Sequence, residues 1–165
     1  MTFIIGGARS GKSAHAETLA TALPPPWAYI ATADAYDDEM RERIAQHRSR
    51  RGEGWATIDA PLDLAGALKA LPDNQPVLVD CLTLWLTNQM LADHDLEAEC
   101  RRLADVLSRP RGPWFVVSNE VGQGIVPDNA LARRFRDAAG RLNQQVAAIA
   151  DTVLLMVAGL PLKVK

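Results

Sequence analysis

Apolar positions along this 165-residue chain fall into short continuous runs and longer runs with a three- to four-residue period. Thr2 to Ile5 is a short β-branched run ending at Gly6, and it predicts a strand. Lys12 to Leu23 puts Ala16, Leu19, Ala20 and Leu23 on one stripe and predicts a helix that Pro24, Pro25 and Pro26 end. Trp27 to Ala31 is a second strand candidate. Asp37 to Arg48 reads as a helix with acids early and bases late, the order that suits a helix dipole. Gly52 and Gly54 break it. Leu62 to Leu71 is a further helix candidate, and Val77 to Val79 is an apolar strand ending at Asp80. Thr83 to Leu91 and Leu96 to Leu107 read as helices, and Trp114 to Val117 as a buried strand. The clearest helix is Leu131 to Ile149, where Leu131, Phe135, Ala138, Leu142, Val146 and Ile149 recur at steps of three or four. Thr152 to Val157 is another strand, and an extended piece follows Pro161.

Strands alternate with helices, and the strands are continuously apolar. That combination predicts an α/β fold, a mostly parallel sheet covered by helices on both faces. No repeat, low-complexity tract or linker interrupts it, so residues 1–165 are expected to form one domain. Hydrophobic residues make up 48% of the chain, enough for a sizeable core. The net charge of −2 gives no global basic field, so nucleic acid is not an obvious partner. Cys81 and Cys100 form no spaced framework and are expected to be reduced thiols. No basic and apolar leader precedes Gly6, and no window approaches the roughly 18 apolar residues of a membrane span. A soluble, cytoplasmic protein is expected.

The most informative stretch is Gly6-Gly7-Ala8-Arg9-Ser10-Gly11-Lys12-Ser13, which fits G-x-x-x-x-G-K-[ST] between a predicted strand and a predicted helix. Gly6 and Gly11 permit backbone angles that a Cβ would block. The loop can then turn its N–H groups toward phosphate oxygens, and the helix start adds its positive dipole end. Lys12 supplies a mobile charge for the β- and γ-phosphates, and the Ser13 hydroxyl can ligate Mg²⁺. Asp80, at a strand end, stands where such proteins hold Mg²⁺ directly or through water; the alternative is an ordinary polar residue closing a strand.

A second stretch runs from Arg41 to Arg51 and surrounds His47 with arginines. On a helix, Arg43, His47 and Arg51 would share one face. Neutral imidazole is a good nucleophile toward phosphorus, and neighbouring guanidinium groups would hold a polyphosphate and keep the ring neutral. Basic residues also cluster at helix C-termini simply because they complement the dipole, so the residues alone leave both readings open. His15, one turn into the first helix, and His94, in a polar loop, are expected to be structural or solvated.

Taken together these residues resemble the bifunctional adenosylcobinamide kinase/adenosylcobinamide-phosphate guanylyltransferase family of adenosylcobalamin biosynthesis. The resemblance runs nearly end to end. It is carried by Gly6 to Ser13, Tyr29-Ile30-Ala31-Thr32-Ala33, Asp38-Glu39-Met40 leading to Arg43-Ile44 and His47, and Val79-Asp80-Cys81-Leu82-Thr83. Ser118-Asn119-Glu120-Val121-Gly122, Gly124-Ile125-Val126-Pro127, Arg133 to Asn143 and Gly159-Leu160-Pro161 complete it. The resemblance implies a RecA-like P-loop NTPase fold assembled as a homotrimer. It implies two activities: phosphorylation of the aminopropanol hydroxyl of adenosylcobinamide from ATP or GTP, then transfer of GMP from GTP to that phosphate through a guanylyl-histidine. His47 would be the guanylylated residue. Gly6 to Ser13, Ala31, Thr32, Ala33, the stretch Arg48, Ser49, Arg50 and Arg51, and the acids Asp59 and Asp80 would bind nucleotide. A single-activity P-loop kinase of a small alcohol and a non-catalytic nucleotide-binding switch are the competing readings.

Overall fold

The computed structural model describes residues 1–34 and 52–165. The expected helix over Asp37 to Arg48, and with it His47, Arg48, Ser49, Arg50 and Arg51, lies outside the described residues.

Seven strands join one sheet: β1 Thr2–Gly6, β2 Trp27–Ala31, β3 Trp55–Asp59, β4 Val77–Asp80, β5 Trp114–Asn119, β6 Thr152–Val157 and β7 Leu160–Lys163. Their order is β3-β2-β4-β5-β1-β6-β7. All neighbours pair parallel except β6 and β7, which form an antiparallel hairpin. The described helices are α1 Lys12–Thr21, α2 Leu64–Ala70, α3 Leu82–Leu91, α4 Leu96–Leu107 and α5 Ala130–Ile149. Strand β5 lies between the phosphate-loop strand β1 and the Asp80 strand β4.

Alternation along each strand sorts the core into two layers. Phe3, Ile30, Val77, Val79, Trp114, Val116 and Val153 pack on one face against α3, α4 and α5. Ile4, Tyr29, Leu78, Phe115, Val117 and Met156 pack on the other against Ala16 and Ala20 of α1. The four-residue spacing of Lys12, Ala16 and Ala20 gives α1 its buried stripe, and the two small residues let the helix lie close to the sheet.

Most expected elements appear within two residues of their expected bounds. α1 ends at Thr21 rather than Leu23. α2 begins at Leu64 rather than Leu62, because the Asp63 side chain accepts the Gly66 N–H and caps the helix there. Leu131 lies at the start of the long helical stripe but is exposed. Strand β3 was not expected from the pattern. It is an edge strand with Ala56, Thr57 and Asp59 exposed, so it lacks the apolar signature of its buried neighbours. Its usable signal was the aromatic and β-branched composition of Trp55, Thr57 and Ile58 directly after a glycine break.

Candidate nucleotide site

β1 delivers the chain to the carboxyl edge of the sheet at Gly6, which is tightly enclosed. A Cβ there would stand 2.6 Å from the Met156 carbonyl oxygen and 2.8 Å from Ser10 Oγ. Arg9 and Gly11 take left-handed backbone angles, φ 56° and 95°. Gly11 serves as the N-cap of α1 without a side-chain cap, and no acidic residue stands in the first turn. The first N–H groups of α1 therefore meet no carboxylate of their own helix, the arrangement that receives a phosphate.

Lys12 is buried, and its Nζ donates to the Gly7 carbonyl at 2.6 Å and to Ser10 Oγ at 3.5 Å. Burial pushes its ammonium below the ordinary 10.5, partly countered by the nearby Cys81 and the Asp80 carboxylate. That ammonium thus spans the inside of the loop and lies in the field of Asp80. A phosphate placed in the loop would exchange these weak carbonyl and hydroxyl acceptors for charged oxygens.

Asp80 ends β4 two strands from β1, about 10 Å across the sheet at the usual strand spacing. Its Oδ2 accepts the Tyr29 hydroxyl at 3.0 Å. Behind it runs a buried polar network. Thr32 Oγ1 donates to the Cys81 carbonyl and accepts the Cys81 N–H, both at 2.7 Å. The Thr32 N–H donates to the Asp80 carbonyl at 3.2 Å, and the Thr32 carbonyl accepts Asn88 Nδ2 at 2.8 Å. Thr83 Oγ1 lies 3.1 Å from Cys81 Sγ and accepts Asn119 Nδ2 at 2.8 Å. Burial, then the Asp80 charge, pushes the Cys81 thiol up to about 11. Cys100 is likewise pushed to about 11, chiefly by burial. Both cysteines are free, as the sequence predicts.

The described structure therefore brings Gly6 to Ser13 and Asp80 to one edge of the sheet, with Ala31, Thr32 and Ala33 leaving β2 beside Asp80. Thr32 is fully buried with its hydroxyl, N–H and carbonyl engaged, so it works as a clamp between the ends of β2 and β4. Asp59 ends the edge strand β3, four strand positions or about 19 Å from β1, and is not brought beside the loop. Sequence reasoning assigned no role to three neighbours. Tyr29 holds Asp80. Asn119 ties β5 to Thr83. Glu120 donates its N–H to the Gly6 carbonyl at 3.0 Å, which places it against the loop. His94 is satisfied by Gln89 Oε1 at 2.6 Å, in line with a structural role.

Among the described residues no three or more His, Cys, Asp or Glu side chains cluster into a metal cage. Mg²⁺ does not need one. It keeps several waters and binds through one or two carboxylates and substrate phosphates, so Ser13 and Asp80 are a suitable protein contribution. No described helix is long and apolar enough to cross a membrane.

Comparison with known proteins bears on the fold and the family. The solved structures that resemble the chain include a Pyrococcus horikoshii OT3 protein, with a TM-score of 0.58 at 10% identity over all of this chain and 85% of that one. A prototypical ATPase from a type III secretion system matches with a TM-score of 0.56 at 12% identity, over 93% of this chain and 50% of that one. These establish the fold alone. Sequence relatives reach further. The bifunctional adenosylcobalamin biosynthesis protein CobP of Pseudomonas aeruginosa is 47% identical, covering 98% of this chain and 95% of the relative. The corresponding CobU of Escherichia coli is 41% identical, covering 100% and 99%. Residues 2–164 match the family described as cobinamide kinase / cobinamide phosphate guanyltransferase, and the chain belongs to that family.

Proposed function

We propose that the chain phosphorylates adenosylcobinamide and then guanylylates the product. In the first step the aminopropanol hydroxyl oxygen attacks the γ-phosphorus of ATP or GTP. The bond to the β–γ bridging oxygen breaks, and the nucleoside diphosphate leaves. In the second, a His47 ring nitrogen attacks the α-phosphorus of GTP and expels pyrophosphate. The adenosylcobinamide phosphate oxygen then attacks that phosphorus, releases His47 and gives the GDP-linked corrinoid.

The observation that supports this reading most is the enclosed Gly6–Ser13 loop beside Asp80, in a chain that matches the family from residue 2 to residue 164. The loop, Lys12 and the α1 N-terminus bind and orient the phosphates. Mg²⁺, between Ser13 and Asp80, would neutralise developing charge on them. The stretch Arg48 to Arg51 would steady the phosphate chain during attack by His47, and Asp59 would contact nucleotide only from that side of the site.

The working form is read as a cytoplasmic homotrimer with the corrinoid in a groove between subunits. Exposed Val121, Ile125, Val126 and Leu131 offer apolar surface for such a contact. A fully active monomer in sedimentation would overturn that part. The activity itself is tested with GTP labelled at the α- or the γ-phosphorus. After denaturation the protein should retain α-label, and adenosylcobinamide should acquire γ-label. Retention of neither would leave only a nucleotide-binding protein.

A further inference from the structure

We propose that Tyr29 is a positioning residue for Mg²⁺, acting through Asp80. The inference rests on reading Asp80 as the acid beside the magnesium ion. Tyr29 lies on β2, the strand next to β4, and the residue is 5% exposed. The edge of the ring meets Trp55 at 6.2 Å with planes at 79°, and Trp55 is itself packed on Trp27 at 5.5 Å. Three aromatic rings in contact leave the Tyr29 ring little rotational freedom. The hydroxyl at its tip reaches Asp80 Oδ2 at 3.0 Å.

A buried phenol has to find an acceptor, and here the acceptor is a carboxylate that simple packing does not require to be charged. The contact has a direct consequence for Asp80. A carboxylate on a free side chain rotates and offers either oxygen. With Oδ2 held by a donor from the neighbouring strand, the plane of the group is fixed and Oδ1 is left to serve the ion or its water. The backbone of the same residue is fixed separately, by the Thr32 N–H on the Asp80 carbonyl and by the paired Thr32–Cys81 bonds. Side chain and main chain are thus held by Tyr29 of β2 and by Thr32 just beyond that strand, three positions apart. Mg²⁺ tolerates little departure from octahedral geometry, so such preorganisation should appear in its affinity.

Tyr29→Phe removes the hydroxyl and keeps the ring. The measurement is calorimetric binding of GTP carrying a methylene α–β bridge, which His47 cannot cleave, across a Mg²⁺ titration and in EDTA. Metal-free GTP affinity should stay within about twofold of wild type, while the Mg²⁺ concentration giving half of the affinity gain should rise by about three- to tenfold, as expected for one lost hydrogen bond to a charged group. Asp80→Asn should raise that midpoint at least as far, and the double variant no further than Asp80→Asn alone. An unchanged midpoint in Tyr29→Phe, with Asp80→Asn shifted, would overturn the role of Tyr29 and leave the metal site standing. An unchanged midpoint in Asp80→Asn would remove the metal site itself. Equal loss of GTP affinity with and without Mg²⁺ would mean that Tyr29 only supports the fold.

Discussion

The Gly159 N–H donates to the Ser10 carbonyl at 3.0 Å, so the turn between β6 and β7 is fastened to the phosphate loop. That turn has Ala158 and Gly159 at φ 50° and 84°, the positive angles of a two-residue hairpin turn. It comes so close that a Cβ on Gly11 would stand 3.2 Å from the Gly159 Cα. Gly11→Ala therefore meets two obstacles, a neighbour too near and a φ of 95° that costs an L-residue about 1–2 kcal/mol. The loop should shift, and GTP affinity should fall about tenfold or more for a strain of that size. Calorimetry checks this. Wild-type affinity would mean that the loop relaxes without losing its phosphate geometry.

Lys12 gives a prediction with a pH sign. In the empty protein, burial holds its ammonium below the ordinary 10.5. Between that lowered value and 10.5 the unfolded chain binds the proton that the folded chain has lost, so this group makes the empty fold more stable as pH rises through the window. Phosphate oxygens favour the charged form and raise the value again. GTP binding at alkaline pH should therefore take up protons. Titration in buffers of different ionisation enthalpy should show the uptake, and Lys12→Ala should abolish it. Lys12→Ala should also lose both activities, because the sequence contains one such loop. Near-normal guanylyl transfer in that variant would refute a single shared nucleotide site.

The buried strands, the long helix and the phosphate loop were legible because each carries a local signature. β1, β4 and β5 are continuously apolar, and the loop has glycines where chain geometry demands them. β3 was not legible because an exposed edge strand is patterned like a loop. The partners of Asp80 were hidden for a different reason. Tyr29 precedes it by 51 positions, and only the pairing of β2 with β4 brings the two together. Thr32 carries a second kind of hidden partner: the resemblance names it among nucleotide contacts, and its hydroxyl also holds the Cys81 carbonyl, a bond that spans 49 positions.

Asn143 of α5 carries a stability prediction. Its Oδ1 accepts the Ser118 hydroxyl at 2.7 Å, and its Nδ2 donates to the Asn119 carbonyl at 3.1 Å. Both bonds secure the end of β5 next to Glu120 and the loop. Asn143→Leu would leave a buried hydroxyl and a half-buried carbonyl without this partner, at about 1–3 kcal/mol for each group that finds no substitute, and less for the carbonyl because water can reach it. Urea denaturation should show a lowered midpoint with an unchanged slope. An unaltered midpoint would mean that water or a rearranged side chain satisfies both groups.

The last prediction concerns His47 and separates the two activities. Moving a γ-phosphoryl group to a hydroxyl needs positioning and charge, which the loop, Lys12 and Mg²⁺ can provide without a protein nucleophile. Transfer of GMP is different, because the α-phosphorus must be attacked and pyrophosphate expelled. A covalent histidine divides that transfer into two displacements. His47 lies between β2 and β3 in the sequence, on a segment separate from the phosphate loop, so its approach need not compete with the groups that hold the phosphates. His47→Ala should therefore still phosphorylate adenosylcobinamide and should fail to form the GDP-linked product. The wild-type protein incubated with α-labelled GTP should carry an adduct that is lost in acid and survives base, the behaviour of a phosphoramidate. His47→Ala should carry none. An adduct that persists in the variant would move the nucleophile to another residue, and loss of both activities would make His47 a nucleotide-binding residue instead.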